Sequence, residues 1–241
     1  MKIKRFFLSA VTFIIITCFF IVNSIYVSAA DNAAGAEKKV IYLTFDDGPT
    51  KVTDKVLDTL KSNNVKATFF LIGSQIKDNE KTVKRIYDEG HSIGLHTYSH
   101  KNEIIYHSED DFINEMNKSR DEVFRVAKVK PDIIRFPGGS RYHLNNEFLL
   151  RLHKNNYKVY DWNVVTSDGL NPKASSYKIY RQATKGKKKP NPVMLLLHCS
   201  YTHKNTCNAL PSIIKYYKSR GYEFKVIDNN TKEIYFPIKN K

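Results

Sequence analysis

The chain is predicted to be an α/β protein in which about seven parallel strands curl into a barrel one strand short of eight. Two observations carry that prediction. Short apolar runs alternate with longer amphipathic stretches, the pattern of strands joined by crossover helices. The residues with chemical potential also follow the apolar runs, at the C-terminal strand ends that a barrel gathers onto one face. A length of 241 residues with 41% hydrophobic content supplies a core for one domain of ordinary size.

The elements can be read in order. The predicted strands are 40–45, 67–72, 92–96, 132–136, 157–163, 192–198 and 223–227. The predicted helices are 52–63, 76–89, 109–127, 145–155, 175–184 and 208–220. In the first helix Val52, Val56, Leu57 and Leu60 repeat at the spacing of one buried face. Gly90 and Gly221 stand just past helices, where a C-terminal cap calls for a left-handed residue. No internal repeat and no second domain is visible.

The first thirty residues set the compartment. Lys2, Lys4 and Arg5 precede an apolar stretch over 6–22, and Val27 to Ala30 offers small residues for cleavage. Residues 1–30 therefore read as a signal peptide or as an N-terminal membrane anchor through residues 6–22. Residues 31–39 read as a linker and 40–241 as the functional domain. Both readings export the domain, to be secreted, associated with a cell wall or held at the outer face of the cytoplasmic membrane. A formal net charge of +15 favours anionic partners. Export points away from nucleic acid and toward an anionic envelope. The lysine runs (Lys187 to Lys189, and Lys239 and Lys241) read as solvated loops and tails. Cys199 and Cys207 form a loop disulfide, which export permits, or remain two free thiols. No feature speaks to the oligomeric state.

The chemistry concentrates in five places. The first apolar run ends in Thr44-Phe45-Asp46-Asp47-Gly48-Pro49, and the third runs into His96-Thr97-Tyr98-Ser99-His100. One carboxylate and two histidines spaced four apart make a ligand set for a hydrolytic metal, with Asp47, His96 and His100 as ligands and Asp46 left as a general base. Both aspartates reach one site if the chain bends at Gly48-Pro49, because neighbours on a strand face opposite ways. Imidazole suits Zn, and also other first-row ions. Arg135, before Phe136-Pro137-Gly138-Gly139, can fork onto Asp46, and the two glycines leave backbone N–H groups for an oxyanion. His198 is a candidate general acid tuned by Asp168. Trp162 is core, wall of the site, or both. His91, His107, His143, His153 and His203 read as surface residues.

In this order the motifs resemble the polysaccharide deacetylases of the NodB-homology type, carbohydrate esterase family 4, over roughly residues 38–230. The resemblance implies a distorted, incomplete (β/α) barrel. It implies base Asp46 and metal ligand Asp47 from Thr44–Pro49, and ligands His96 and His100 from the H-(S/T)-x-x-H pattern. Arg135 orients the base and the backbone at Gly138 helps to bind the oxyanion. Trp162 lines an apolar wall and Asp168 pairs with the catalytic His198. Leu196, of the Leu-x-His pattern, lines the acetyl pocket. Two positions depart from many members: Gly138 stands where an aromatic residue is common, and Gly169 where Trp is common. The implied activity is hydrolysis of a carbon–nitrogen bond other than a peptide bond. It is the metal-dependent N-deacetylation of amino sugars in an envelope polysaccharide, peptidoglycan first, with release of acetate. The implied cofactor is one divalent metal ion, Zn before Co, Ni or Mn. Chitin oligomers, xylan or an exopolysaccharide are alternative substrates, and a non-catalytic wall-binding module on the same fold is the alternative class.

Overall fold

The computed structural model describes residues 38–186 and 189–238. The predicted signal or anchor, nearly all of the linker, Lys187, Lys188 and the lysines of the tail lie outside the described residues. Eight strands form, β1 (Val40–Gly48), β2 (Thr68–Leu71), β3 (Ser92–Leu95), β4 (Ile133–Ile134), β5 (Lys158–Val159), β6 (Val164–Val165), β7 (Val193–His198) and β8 (Glu223–Lys225). The helices are α1 (Lys51–Ser62), α2 (Glu80–Asp88), α3 (Asn102–Ile105), α4 (Glu109–Ala127), α5 (Asn146–Lys154), α6 (Ser176–Thr184) and α7 (Lys204–Lys218). Seven strands lie in the order β5-β4-β3-β2-β1-β7-β6 with all neighbours parallel. The eighth, β8, pairs with Val40–Tyr42, below the stretch of β1 that pairs with β2. This is the predicted incomplete barrel. Among the described residues no helix is long and apolar enough to cross a membrane.

The predicted strand 157–163 holds only the two residues of β5, and an unpredicted strand, β6, begins just beyond it. β5 and β6 stand at opposite ends of the sheet, yet only Tyr160–Asn163 join them. Five extended links reach at most about 18 Å, so the sheet must curl until its edges nearly meet. Tyr160 and Asp161 break the strand because their carbonyl groups accept hydrogen bonds from the Arg135 guanidinium, Nε at 2.7 Å and Nη2 at 3.0 Å, in place of a ladder. Arg135 is 0% exposed, with its guanidinium 4.1 Å from the Phe70 ring centroid. One buried cation thus closes the seam of the barrel.

Strand alternation sorts the side chains. Ile41, Leu43, Phe45, Phe69, Leu71, Leu195 and Leu197 belong to the core under the helices, and Tyr42, Phe70, Ile133, Tyr160 and Met194 belong to the inner one. Thr44 and Asp46 share the parity of Tyr42, and Leu196 and His198 that of Met194, so all four point into the barrel. The predicted face of α1 is buried as expected. Its cap, Thr50, accepts from Val52 N and Thr53 N and donates to Cys199 O at 2.7 Å, tying the start of α1 to the end of β7. α7 begins four residues before the predicted 208 and carries Pro211 inside, although proline is better tolerated in a first turn. Cys199 and Cys207 are free thiols. Burial pushes the Cys199 thiol well up and that of Cys207 up to about 11.

Candidate active site

The aspartate pair is separated by a backbone reversal. Asp46 points inward by strand parity, and Asp47 would point outward if the strand continued. Asp47 instead takes φ +66, and the pairing register with β2 slips between Asp46 and Gly48. The bend expected at Gly48-Pro49 therefore starts at Asp47 itself, and both carboxylates reach one face. The His96–His100 segment is a tight loop, with Thr97 at φ +65 and His100 at φ +54. The buried Glu115 of α4 holds it by accepting from Tyr98 N at 3.2 Å and Ser99 N at 2.6 Å. A glutamate on the apolar face of a helix, beside Phe112 and Met116, is the sequence signal that could have revealed this.

Asp47, His96 and His100 come together. His96 Nε2 lies 3.6 Å and His100 Nε2 3.4 Å from Asp47 Oδ1, and the three ligand atoms fall within 4.8 Å of one another. His96 Nδ1 lies 2.9 Å from the Arg135 carbonyl oxygen and donates to it, which leaves Nε2 as the free lone pair. Burial lowers the His96 pKa, against the pull of Asp46, and so favours the neutral imidazole that a metal requires. Asp47 Oδ1 is buried with no hydrogen-bond partner. A buried carboxylate oxygen without a donor is costly unless a cation completes it, so two imidazole nitrogens and this oxygen fit a divalent metal.

Asp46 lies beside this cluster, 2% exposed, with Oδ2 at 3.8 Å from His96 Nε2. Arg135 Nη1 donates to Asp46 Oδ1 at 2.9 Å and to Thr44 Oγ1 at 2.7 Å, so one carboxylate oxygen is fixed and the other faces the cluster. His198 is the register partner of Asp46 across β1 and β7. Its Nδ1 lies 3.0 Å from Asp168 Oδ1 and donates to it, and its backbone N–H donates to Asp168 Oδ2 at 2.9 Å. Thr166, Gly169 N and Thr206 also donate to Asp168. Burial alone would lower the His198 pKa. The Asp168 hydrogen bond and charge outweigh it, with Asp46 and Asp47 adding, and push it up to about 9. Burial likewise opposes the charged Asp168, but His198 and Thr166 hold its pKa below the usual carboxylate range.

His91 and His203, expected at the surface, are buried. His203 lies under the site, with its ring 5.3 Å from that of His198 and its Nε2 3.2 Å from the Asp168 carbonyl oxygen. Its position five residues after His198 gave no periodic signal. Asp161 was also missed, although it directly precedes Trp162. It is buried, accepts from Ser140 N at 3.1 Å and Phe236 N at 2.8 Å, and anchors the Gly138–Ser140 loop. Trp162 is half-buried against the inner cluster, with its ring edge-on to that of Phe236 at 5.2 Å. Gly138 is exposed at φ +75 with open space where a Cβ would stand, whereas the Gly139 N–H is spent on Phe136 O at 2.8 Å. At Gly169 a Cβ would meet His198 Cε1 at 2.4 Å, so this placement of the imidazole excludes any side chain there.

The sequence and the fold have known relatives. Residues 33–160 match the family described as polysaccharide deacetylase. A peptidoglycan-N-acetylglucosamine deacetylase of Bacillus cereus is 35% identical over 208 residues, 85% of this chain and 74% of that one. A peptidoglycan-N-acetylmuramic acid deacetylase of Bacillus subtilis is 32% identical over 201 residues, 80% of this chain and 72% of that one. The crystal structure of a polysaccharide deacetylase from Bacillus cereus superposes with a TM-score of 0.74 at 33% identity, covering 83% of this chain and 96% of the other. With the ordered motifs on one face of an incomplete barrel and relatives of this extent, the chain belongs to the polysaccharide deacetylase family.

Proposed function

We propose that this protein is exported and removes N-acetyl groups from amino sugars of a cell-envelope polysaccharide, peptidoglycan first, as a metal-dependent hydrolase. The observation that carries the reading is the convergence of two oriented pairs, Asp46 with Arg135 and His198 with Asp168, around Asp47, His96 and His100. The names of the relatives support the polymer, being peptidoglycan deacetylases of the two amino sugars.

The chain's own groups divide the work. Asp47, His96 and His100 hold a divalent ion, Zn first, which supplies Lewis-acid polarisation of the acetamide carbonyl and a more acidic water. Asp46, turned by Arg135, takes a proton from the attacking water through its unbound oxygen. The open backbone at Gly138 offers an N–H to the developing oxyanion. His198, in its protonated form, gives its Nε2 proton to the departing amine, while Asp168, accepting from Nδ1–H, orients the ring and stabilises its charged form. Leu196, inward-facing and buried, lines the place of the acetyl methyl, and Trp162 forms the wall of the sugar groove.

The test is acetate release by residues 38–241 from peptidoglycan and from soluble N-acetylglucosamine oligomers, with added Zn or Co and with a chelator. Release that the chelator abolishes is expected, faster on peptidoglycan. No release from either substrate by metal-loaded protein would overturn the reading in favour of a wall-binding module.

A further inference from the structure

The helices α6 and α7 pack side by side, and between them lies a groove of about 920 Å³ that none of the chemistry above uses. Tyr177, Tyr180 and Tyr216 form its aromatic part, and Arg181, Lys185, Lys215 and Arg220 its charged part. Among the described residues, no carboxylate lines it. Three arginines elsewhere on the surface behave differently, although Arg141 rests on the Phe236 ring and Arg120 on the Tyr157 ring instead. Arg85 pairs with Asp58 at 2.7 Å, Arg125 with Glu122 at 2.8 Å and Arg151 with Glu109 at 2.6 Å. Among the described residues, none of the four groove cations makes an ion pair with a carboxylate.

Helix electrostatics account for part of this. Arg181 and Lys215 stand in the last turns of their helices, where a cation complements the dipole. Lys185 and Arg220 lie beyond those turns, and a dipole gives no reason for the tyrosines. Tyr177 is 69% exposed on the groove. The Arg220 guanidinium is already stacked on Tyr216 at 3.7 Å from the ring centroid, which fixes its donor fork before any ligand arrives.

We infer that this groove binds a linear phosphodiester polymer with a polyol or sugar backbone. Four cations without carboxylate partners among the described residues call for several negative charges along one ligand, and the volume exceeds what a single phosphate would fill. Guanidinium forks match phosphate oxygens, and tyrosine offers an apolar ring to C–H groups and a hydroxyl to a polyol. The charges line a concave groove, which the flat surface of a bilayer cannot enter. Nucleic acid needs open ring faces for its bases. Here Arg220 covers Tyr216 and Tyr180 meets Tyr216 edge-on at 84°, so of the three rings Tyr177 alone stands open, too few for a run of stacked bases. The inference stands apart from the deacetylase reading, because these residues lie outside the site described above.

The experiment is a titration of the metal-loaded protein with a fluorescent poly(glycerol phosphate) chain, followed by anisotropy. Binding is expected at low salt and should weaken roughly tenfold or more when salt is raised above physiological strength. The triple substitution Arg181→Gln, Lys215→Gln, Arg220→Gln should weaken it at least as much, with melting temperature and acetate release from small oligomers unchanged. Should the triple variant fold poorly, Lys215→Glu alone serves, with a smaller loss in the same direction. Absence of binding, binding that these variants leave intact, or tighter binding to single-stranded DNA or to phosphatidylglycerol vesicles would overturn the inference.

Discussion

Asp47 and Asp168 are both buried or half-buried carboxylates at C-terminal strand ends, and the protein treats them in opposite ways. Asp168 is saturated, its two oxygens accepting from His198 twice and from Thr166, Gly169 and Thr206. Asp47 keeps a buried Oδ1 with no donor, on a residue forced to φ +66. A saturated carboxylate has no capacity left for a ligand and can only position its neighbour. An unsatisfied one, built on strained backbone, is a place held for something that arrives later. The wall from β1 to β3 thus leaves a carboxylate oxygen open to a cation, whereas the wall from β6 to β7 is already complete.

The largest expected effects come from breaking the unsatisfied wall. Asp46→Asn should lower acetate release by about 10²–10⁴-fold while Zn remains bound, because it removes a base and no ligand. Asp47→Ala should bring turnover to background and also lose the metal on gel filtration. If the two variants retain equal amounts of Zn, the division of labour between the adjacent aspartates is wrong.

Metal binding should also appear in stability. At a hundredfold excess over Kd, Zn should stabilise the native protein by about 2.7 kcal/mol. The same rise in melting temperature is expected for His198→Ala, whose wall takes no metal, and none for Asp47→Ala. A Zn-dependent shift in Asp47→Ala would place the cation elsewhere.

A third group tests whether an unsatisfied buried atom always signals function. His91, at the opposite end of the strands, accepts from Ala67 N through Nδ1 and leaves a buried Nε2 without a hydrogen-bond partner. Burial, then the charge of Lys66, lowers its pKa from 6.5 to about 4, with Glu89 opposing and Arg85 adding. The unfolded chain therefore takes up the proton first as pH falls. The stability tied to a neutral His91 is complete above pH 6.5 and is lost between there and about 4, roughly 2 kcal/mol on going from pH 7 to pH 5. Urea unfolding at the two pH values should show this loss, and His91→Gln should show a smaller one. Equal slopes would mean that the burial of His91 carries no cost.

Much of this could be read from the sequence, for identifiable reasons. Asp46, Asp47, His96, His100, Arg135 and His198 were visible because each closes or follows an apolar run, and parallel strands bring such ends to one face. The seven-strand barrel was visible in the same alternation. What escaped depended on contacts between distant segments. The break at Tyr160–Asn163 is imposed by Arg135, 25 residues earlier, and no local propensity marks it. Glu115, Asp161 and His203 act by holding other loops, and their roles exist only once α4, the segment carrying Phe236 and α7 are packed. The reversal at Asp47 was placed one residue late, since Gly48-Pro49 is the louder turn signal.

The smallest effect addresses the saturated wall directly. His198 must be protonated to act as an acid, and Asp168 is what raises its pKa to about 9 against burial. Asp168→Asn keeps a hydrogen-bond acceptor and removes the charge. The His198 pKa should fall, and the alkaline limb of the pH–rate profile should move to lower pH. With both enzymes carrying the same metal, a fall of about two units would cost roughly tenfold in turnover at pH 8, with little change near pH 6. A purely structural role for Asp168 gives a different signature, an equal loss at every pH. The shape of the profile, not the size of the loss, therefore decides whether this carboxylate tunes the acid or only holds the loop.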